Sequence, residues 1–396
     1  MEHPGFYLKQ RHSFTLDPAF HAGTYYAQEA SSMFVETAIR QTVDLNKRLI
    51  ALDLCAAPGG KSTHLLSLLN DKSLLVSNEV IRSRTSILKE NMTKWGYPNV
   101  VITNNDPANF NGLPNFFDIV LVDAPCSGEG LFRKDPESVA HWSLENVRLC
   151  ALRQQRIIEN IWPSLKPGGI LIYSTCTYNE DENENNLLNF ANERDPEFLE
   201  LSLHDGWGMD KVTKDSVIGY RFFPHKIKGE GFFISVCRKK VSENDPMLKP
   251  TGKNSFSSIV PGVAKDWVLN PEEKLFRQHN DSLLFIPIEF RNEVEILLRH
   301  LKMISAGTKI GTIKKSKVIP DHALALSTEI NEDAFNTLDL DLEQALSYLR
   351  KESFPINSTK AGIHLVRYHE NPIGWANVLP NRINNLYPTD WRIRMR

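Results

Sequence analysis

Two cysteines stand in matching surroundings. One lies in Asp-Ala-Pro-Cys-Ser-Gly-Glu-Gly (residues 123–130) and the other in Tyr-Ser-Thr-Cys-Thr-Tyr (173–178), each just past an apolar run. A free cysteine is more often a small buried hydrophobe than a reactive group, and Cys150 and Cys237, on a helix and a strand, read that way; Cys55 reads as packing within a turn. Cys126 and Cys176 differ because Pro, Ser, Thr and Gly surround them. A thiol at such a place, near Lys61 or a helix N-terminus, is set to become a thiolate, and cysteine is a potent nucleophile even when only a small fraction is ionised. Asp123 is an acid within reach of the same spot.

A second group of residues reads as a ligand cradle. In Asp-Leu-Cys-Ala-Ala-Pro-Gly-Gly-Lys-Ser (53–62) a Pro-Gly-Gly turn joins an apolar run to a helical one. Glycines there let the backbone come close to a ligand, and the helix start offers free N–H groups. The stretch is neither a dinucleotide GxGxxG nor a phosphate-binding GxxxxGK[ST] fingerprint. Glu79 and Asp106 close the next two apolar runs, so one suits ribose hydroxyls and the other an adenine amine. Cys55, Ala56, Ala57, Pro58, Gly59, Gly60, Lys61, Glu79, Asp106 and Asp123 then describe a nucleoside-bearing cofactor without a long phosphate chain. S-adenosylmethionine fits.

A thiol beside a methyl donor suits methylation at pyrimidine C5. That carbon is too electron-poor to attack a sulfonium methyl directly. Addition of a thiolate at C6 makes C5 an enamine carbon, provided an acid assists at N3. Asp123 is placed to meet N3 and the exocyclic amine of a cytosine. A base then removes the C5 proton and the thiolate leaves.

The elements that must position these groups alternate between strands and helices. Residues 49–55, 73–79, 99–106, 117–125 and 170–176 read as strands, several apolar throughout and so buried on both faces. Stretches 61–69, 84–96 and 144–163 have helical spacing, with Gly96 as a stop. This rhythm predicts an α/β, Rossmann-like open parallel sheet whose ligand crevice lies beyond the strand carboxyl ends. Residues 217–225 and 229–239 read as a hairpin at the sheet edge, and the acidic run 179–186 as a solvated helix start. The boundaries expected are an N-terminal segment (1–48), a methyltransferase domain (49–241), a Ser/Asn/Pro/Lys-rich linker (242–262) and a smaller, mostly-β domain (263–396) with an acidic helix around 339–352.

The bulk numbers agree. A chain of 396 residues suggests two to three domains, and 41% hydrophobic with 24% charged residues is a globular composition. A net charge of −2 excludes a general nucleic-acid binder but allows a local basic groove. Five cysteines without a CxxC pair argue for a reducing cytoplasm, against a disulfide framework and against a metal site. Neither a signal peptide nor an apolar run of membrane length is present, so a cytoplasmic protein, a monomer with no membrane partner, is expected.

The motifs carry a resemblance. "LCAAPGGKS", "DAPCSGEG" and "STCTYNEDENE", in that order, resemble the Nol/Nop/Sun family of RNA cytosine-C5 methyltransferases, and "AGTYYAQEASSMF" (22–34) resembles the segment preceding its catalytic fold. Residues 301–326 and 374–388 are similar to the PUA-like tail of its bacterial ribosomal-RNA branch. The resemblance implies cofactor contacts from Cys55 to Lys61 and at Glu79, Asp106 and Asp123. It implies Cys176 as nucleophile, Cys126 in product release, and 5-methylcytosine in small-subunit (16S) ribosomal RNA as product, with tRNA the next substrate. DNA cytosine methyltransferases attack through the Pro-Cys cysteine, so possession of both thiols favours RNA. Family members carry an RNA-binding module before the "YYAQEASSM" segment, whereas about two dozen residues precede it here; the expectation is a late start or a chain without that module. A non-catalytic RNA-binding ribosome-assembly factor is the competing class, opposed by intact Lys61, Asp123, Cys126 and Cys176. Four lysines in 309–317, Arg382 and the ending "WRIRMR" suit phosphate contact and base stacking in that tail.

Overall fold

The computed structural model describes residues 8–10, 12–204, 206–241, 261–315, 317–355, 360–380 and 382–395. Helices α1 (Pro18–His21) and α2 (Phe34–Thr42) lead into β1 (Ile50–Asp53), α3 (Gly60–Leu68), β2 (Leu74–Asn78), α4 (Arg82–Trp95), β3 (Val100–Thr103) and β4 (Phe117–Asp123). Then come α5 (Pro136–His141), α6 (Leu144–Ile161), β5 (Leu165–Thr175) and α7 (Glu184–Arg194). Strands β6 (Glu197–Phe198), β7 (Asp210–Lys214), β8 (Val217–Phe222) and β9 (Phe232–Arg238) complete this part. Strands β3, β2, β1, β4 and β5 run parallel in that spatial order. Burial on both faces explains their unbroken apolar runs: Leu52, Leu75, Val120 and Leu121 are fully buried. Truncating such a residue, Leu121→Ala for instance, costs about 2–5 kcal/mol.

Two differences from expectation concern the sheet's flanks. The predicted edge hairpin forms, with β8 antiparallel to β9, but β9 pairs with β5 and β7 lies outside β8. The connection between β8 and β9 is a loop, not a tight turn, and Gly231 N–H there donates to Gly130 O at 3.0 Å. At the opposite flank the outermost strand comes from the C-terminal region.

That region contains α8 (Gly262–Asp266), β10 (Lys274–His279), β11 (Ser282–Pro287), α9 (Arg291–His300), β12 (Met303–Ala306), β13 (Thr308–Lys314), β14 (Lys317–Pro320) and α10 (His322–Ala325). It continues through β15 (Asn336–Leu340), α11 (Leu342–Arg350), β16 (Gly362–Tyr368), β17 (Asn371–Leu379) and β18 (Arg382–Asn385). Strands β10, β11, β13 and β14 form one sheet and β15 to β18 another, so a mostly-β second domain is present. The acidic stretch is strand before it is helix: residues 336–340 are β15, and Asp341 caps α11 through Gln344 N–H at 2.9 Å. Strand β12, however, leaves this domain and pairs antiparallel with β3, which gives the main sheet ten strands among the described residues. Phe290, Leu297 and Leu301 enter the same apolar core as Phe117 and Ile158. Gly96, the predicted helix stop, has φ +78°, and a Cβ there would lie 2.0 Å from Leu326 O, so only glycine lets α4 end against the C-terminal domain. Apart from Pro261 and Gly262, the proposed linker 242–262 lies outside the described residues.

Candidate active site

The carboxyl ends of β1 and β4 meet at one cleft. Tyr26, Gln28, Asp53, Cys55, Ala56, Ala57, Pro58, Gly60, Lys61 and Asp123 line it. The turn after β1 is tied down from three sides: Ala56 N–H donates to Asn78 O at 2.8 Å, Arg84 Nη2 to Ala57 O at 2.6 Å, and Asn91 Nδ2 to Pro58 O at 2.8 Å. Gly59 caps α3 in the left-handed region at φ 115°. A Cβ on Gly60 would stand 2.6 Å from Gln28 Oε1 and 2.8 Å from the Tyr26 ring, so the glycine is required by crowding.

Several buried polar atoms here lack a partner. Gln28 Nε2, Asp53 Oδ1 and Glu79 Oε2 accept or donate no hydrogen bond among the described residues. Glu79 uses Oε1 to accept from Ile81 N–H at 2.8 Å, and its Oε2 stands 3.6 Å from Arg84 Nη1. Asp53 Oδ2 accepts from Ser62 Oγ at 2.7 Å. Burial, opposed by that bond and aided by the nearby Asp123 carboxylate, pushes the Asp53 carboxyl up to about 7. Unmet donors and acceptors around a cleft closed to side chains at Gly60 fit a ligand rich in hydroxyl and amine groups.

Asp106 does not line this cleft, and Gly59 and Glu79 are not among its lining residues either. The Asp106 carboxylate accepts from Ala108 N–H at 3.0 Å, capping a 3-10 turn (Pro107–Gly112), and is paired with Arg156 at 2.8 Å. Tyr26, Gln28 and Asp53 line the cleft without having been singled out. Asp53 had a signal, being an acid at the end of the first apolar strand, whereas Tyr26 and Gln28 arrive from a segment with no strand or helix of its own.

Beside the cleft stands the thiol pair. Lys61 Nζ donates to Asp123 Oδ2 at 2.8 Å and reaches Ser32 Oγ at 3.4 Å, while Ser174 Oγ donates to Asp123 Oδ1 at 2.8 Å. Nζ also stands 5.3 Å over the Phe232 ring. Burial opposes a charge on Lys61, but the Asp123 carboxylate, seconded by Asp53, outweighs it and keeps the ammonium above its usual range. Cys126 Sγ lies 2.9 Å from Cys176 Sγ, both partly exposed. The hydrogen bond to Cys176, together with burial, raises the Cys126 thiol well above its ordinary value, so it stays S–H at neutral pH.

The acidic run after Cys176 is the clearest correction. Read as a solvated helix start, it does lead into α7 and leaves Glu180 and Asp181 exposed, but its centre is buried: Glu182 and Asn183 are fully enclosed and Glu184, which pairs with Arg221, is 2% exposed. Glu182 accepts from Ser127 N–H at 2.9 Å, and Asn183 from Thr175 Oγ1 at 2.7 Å. Cys150 and Cys237 are buried packing residues as expected, whereas Cys55 lines the cleft.

Comparison with known proteins identifies the family. The family described as "16S rRNA methyltransferase RsmB/F" matches residues 41–238, and the "Methyltransferase RsmF PUA domain" matches residues 335–393, the sheet β15 to β18. The chain is 34% identical over 384 residues to ribosomal RNA small subunit methyltransferase F of Vibrio vulnificus (strain YJ016), covering 93% of this chain and 79% of that protein. It is 33% identical to the protein of the same description from Erwinia tasmaniensis, covering 93% and 78%. Among solved structures, the crystal structure of PH0851 is similar, at 29% identity and a TM-score of 0.52 over 58% of this chain and 51% of that one.

Proposed function

The chain belongs to the RsmB/F family of 16S rRNA methyltransferases, and on that premise we propose that it methylates a cytosine C5 in small-subunit ribosomal RNA through a covalent adduct between Cys176 and C6. It is an S-adenosylmethionine-dependent RNA cytosine-C5 methyltransferase with a C-terminal PUA domain. The residues fitted to hold the cofactor are those of the cleft and Glu79, with Asp53, Glu79 and Gln28 offering unmet polar atoms and the 56–60 turn its backbone. Bound there, S-adenosylmethionine supplies the methyl group that C5 takes up.

The observation that carries the reading is the pair of thiols in contact beside a lysine–carboxylate pair. Cys176 as thiolate adds to C6 and the electron pair moves toward N3. Asp123 accepts from the exocyclic amine, and the proton that N3 takes comes through its contact with Lys61. Once C5 carries the methyl group, a base takes the C5 proton, the Cys176–C6 bond breaks, and N3 gives its proton back. Cys126, held as a thiol, donates its hydrogen bond to the departing Cys176 sulfur and so favours release. The cytosine reaches both sulfur and methyl only when turned out of its stack.

Bisulfite sequencing of total RNA with and without the gene tests substrate and product together. One cytosine in 16S RNA should lose its protection when the gene is absent and regain it with the wild-type gene but not with Cys176→Ala. Loss confined to tRNA would reassign the substrate. Full complementation by the Cys176→Ala gene would remove the adduct from the mechanism.

A further inference from the structure

We infer that Glu182 and Glu129 are positioning residues exchanged between the two cysteine loops, Glu182 holding Cys126 for release and Glu129 holding Cys176 for attack; the inference rests on the thiol roles just given. Glu182 follows Cys176 in the chain, yet its Oε2 accepts from Ser127 N–H at 2.9 Å and from Gln154 Nε2 at 2.8 Å. Gln154 Nε2 also donates to Pro125 O at 3.0 Å. The backbone on both sides of Cys126 is therefore gripped by one Gln154–Glu182 unit. Tyr173 Oη steadies that unit by donating to the Glu182 carbonyl at 2.6 Å.

Glu129 mirrors this. It follows Cys126, yet Oε2 accepts from Thr177 Oγ1 at 2.9 Å, and Oε1 accepts from Asn179 Nδ2 at 3.2 Å and Trp142 Nε1 at 3.0 Å. Its neighbour Gly130 donates its N–H to the Cys176 carbonyl at 2.9 Å. Each carboxylate thus belongs to one thiol's loop and secures the other's.

The choice of group matters. Glu182 is fully enclosed and Glu129 is 6% exposed, and neither forms an ion pair among the described residues. A buried carboxylate without a counter-ion is costly unless hydrogen bonds satisfy it; Glu182 Oε2 is satisfied, its Oε1 has no partner among the described residues, and burial raises the carboxyl. A fold needing only cohesion would be served as well by apolar contacts. What carboxylates give is several converging donors on a short side chain, which fixes loop position to fractions of an ångström. A sulfur that must add to and leave one carbon, and a second thiol that must meet it as it leaves, need that accuracy.

The test is the amount of covalent protein–RNA complex on denaturing gels, measured beside methyl turnover with 16S RNA. Cys126→Ala should accumulate adduct and Cys176→Ala should form none. Glu182→Ala and the milder Gln154→Met should follow Cys126→Ala, with turnover at least tenfold lower and adduct accumulated. Glu129→Ala and the near-isosteric Thr177→Val should follow Cys176→Ala, with adduct forming at least tenfold more slowly and none accumulating. Glu182→Gln and Glu129→Gln, which keep one acceptor oxygen, should fall between. S-adenosylmethionine affinity within twofold of wild type certifies that each variant is folded. Equal loss of adduct and turnover in both pairs of variants, or no change in either, overturns the inference while the thiol roles stand on the cysteine controls. Absence of adduct with Cys126→Ala overturns the thiol assignment itself and this inference with it.

Discussion

Cys126 and Cys176, fifty positions apart in sequence, bring their sulfurs to 2.9 Å of each other at the end of the parallel sheet. In the proposed mechanism the pair works while both are reduced, and the same closeness exposes it to oxidation. Treatment with diamide, which takes up two electrons and two protons as the disulfide forms, should abolish methyl transfer. Dithiothreitol should restore it. Intact-mass analysis should show the loss of two hydrogens in the wild type and none in Cys126→Ala; a wild-type enzyme that keeps its thiols and activity in diamide would contradict the geometry.

Lys61 holds Asp123 and has no other acid within salt-bridge distance among the described residues. Lys61→Met keeps a long apolar stem but removes the charge and its position over Phe232. Single-turnover methylation should slow by roughly 10²–10⁴-fold, the usual range for a lost proton-transfer group. Lys61→Arg, which restores charge with the wrong shape, should recover little of it. A rate within threefold of wild type for the Met variant would leave Asp123 to act alone.

Asp53 makes stability depend on pH. Its folded carboxyl lies at about 7 against an ordinary 3.8, so the folded protein keeps a proton that the unfolded chain has released between those values. The stabilising contribution is therefore full below the unfolded value and lost as pH rises through about 7. Asp53→Asn retains an acceptor for Ser62 and has no proton to lose. Its melting temperature should exceed that of wild type by several degrees under mildly alkaline conditions, and the gap should close under acidic ones. A gap independent of pH would assign the effect to packing instead.

His322 has the opposite sign. Both ring nitrogens are buried without a partner among the described residues, and the ring packs edge-on against Tyr387 and Trp391. Burial, and secondarily the Lys94 ammonium, hold it down to about 3 from 6.5. The unfolded chain takes up a proton below about 6.5 that the folded one refuses, so stability falls as pH drops through that range. His322→Phe should flatten this acid limb, and thermal melts from neutral to mildly acidic pH read it directly. His21, lowered to about 4 mainly by burial, leaves a residual slope in that variant.

What could be read from the chain was local. The strand runs, the glycine turn and the two thiols announce themselves because each depends on neighbouring residue types, and the cleft gathers Cys55, Ala56, Ala57, Pro58, Gly60 and Lys61 with Asp123. Glu182 and Asn183 were misleading because an acidic run looks solvated until its donors are known. The donors to Glu182, Ser127 and Gln154, stand far away in sequence. Asp106 ends near an apolar run like Glu79, but Arg156 on α6 claims it, and no local pattern reveals a partner on another element. Strand β12 was equally hidden, since four residues of mixed polarity become a strand only by meeting β3.

That meeting has a consequence for engineering. The composition break near residue 241 looks like a joint at which RNA-binding modules could be exchanged, but the joint is crossed twice, by the chain and by β12. Asn104 N–H bonds to Lys302 O at 3.0 Å, and Gly307 N–H to Val100 O at 2.9 Å. A graft made at that break would strip Val100–Thr103 of its outer neighbour and leave a row of open backbone groups ready to recruit another chain. The catalytic and C-terminal parts therefore share one sheet, and any swap made there has to bring its own strand.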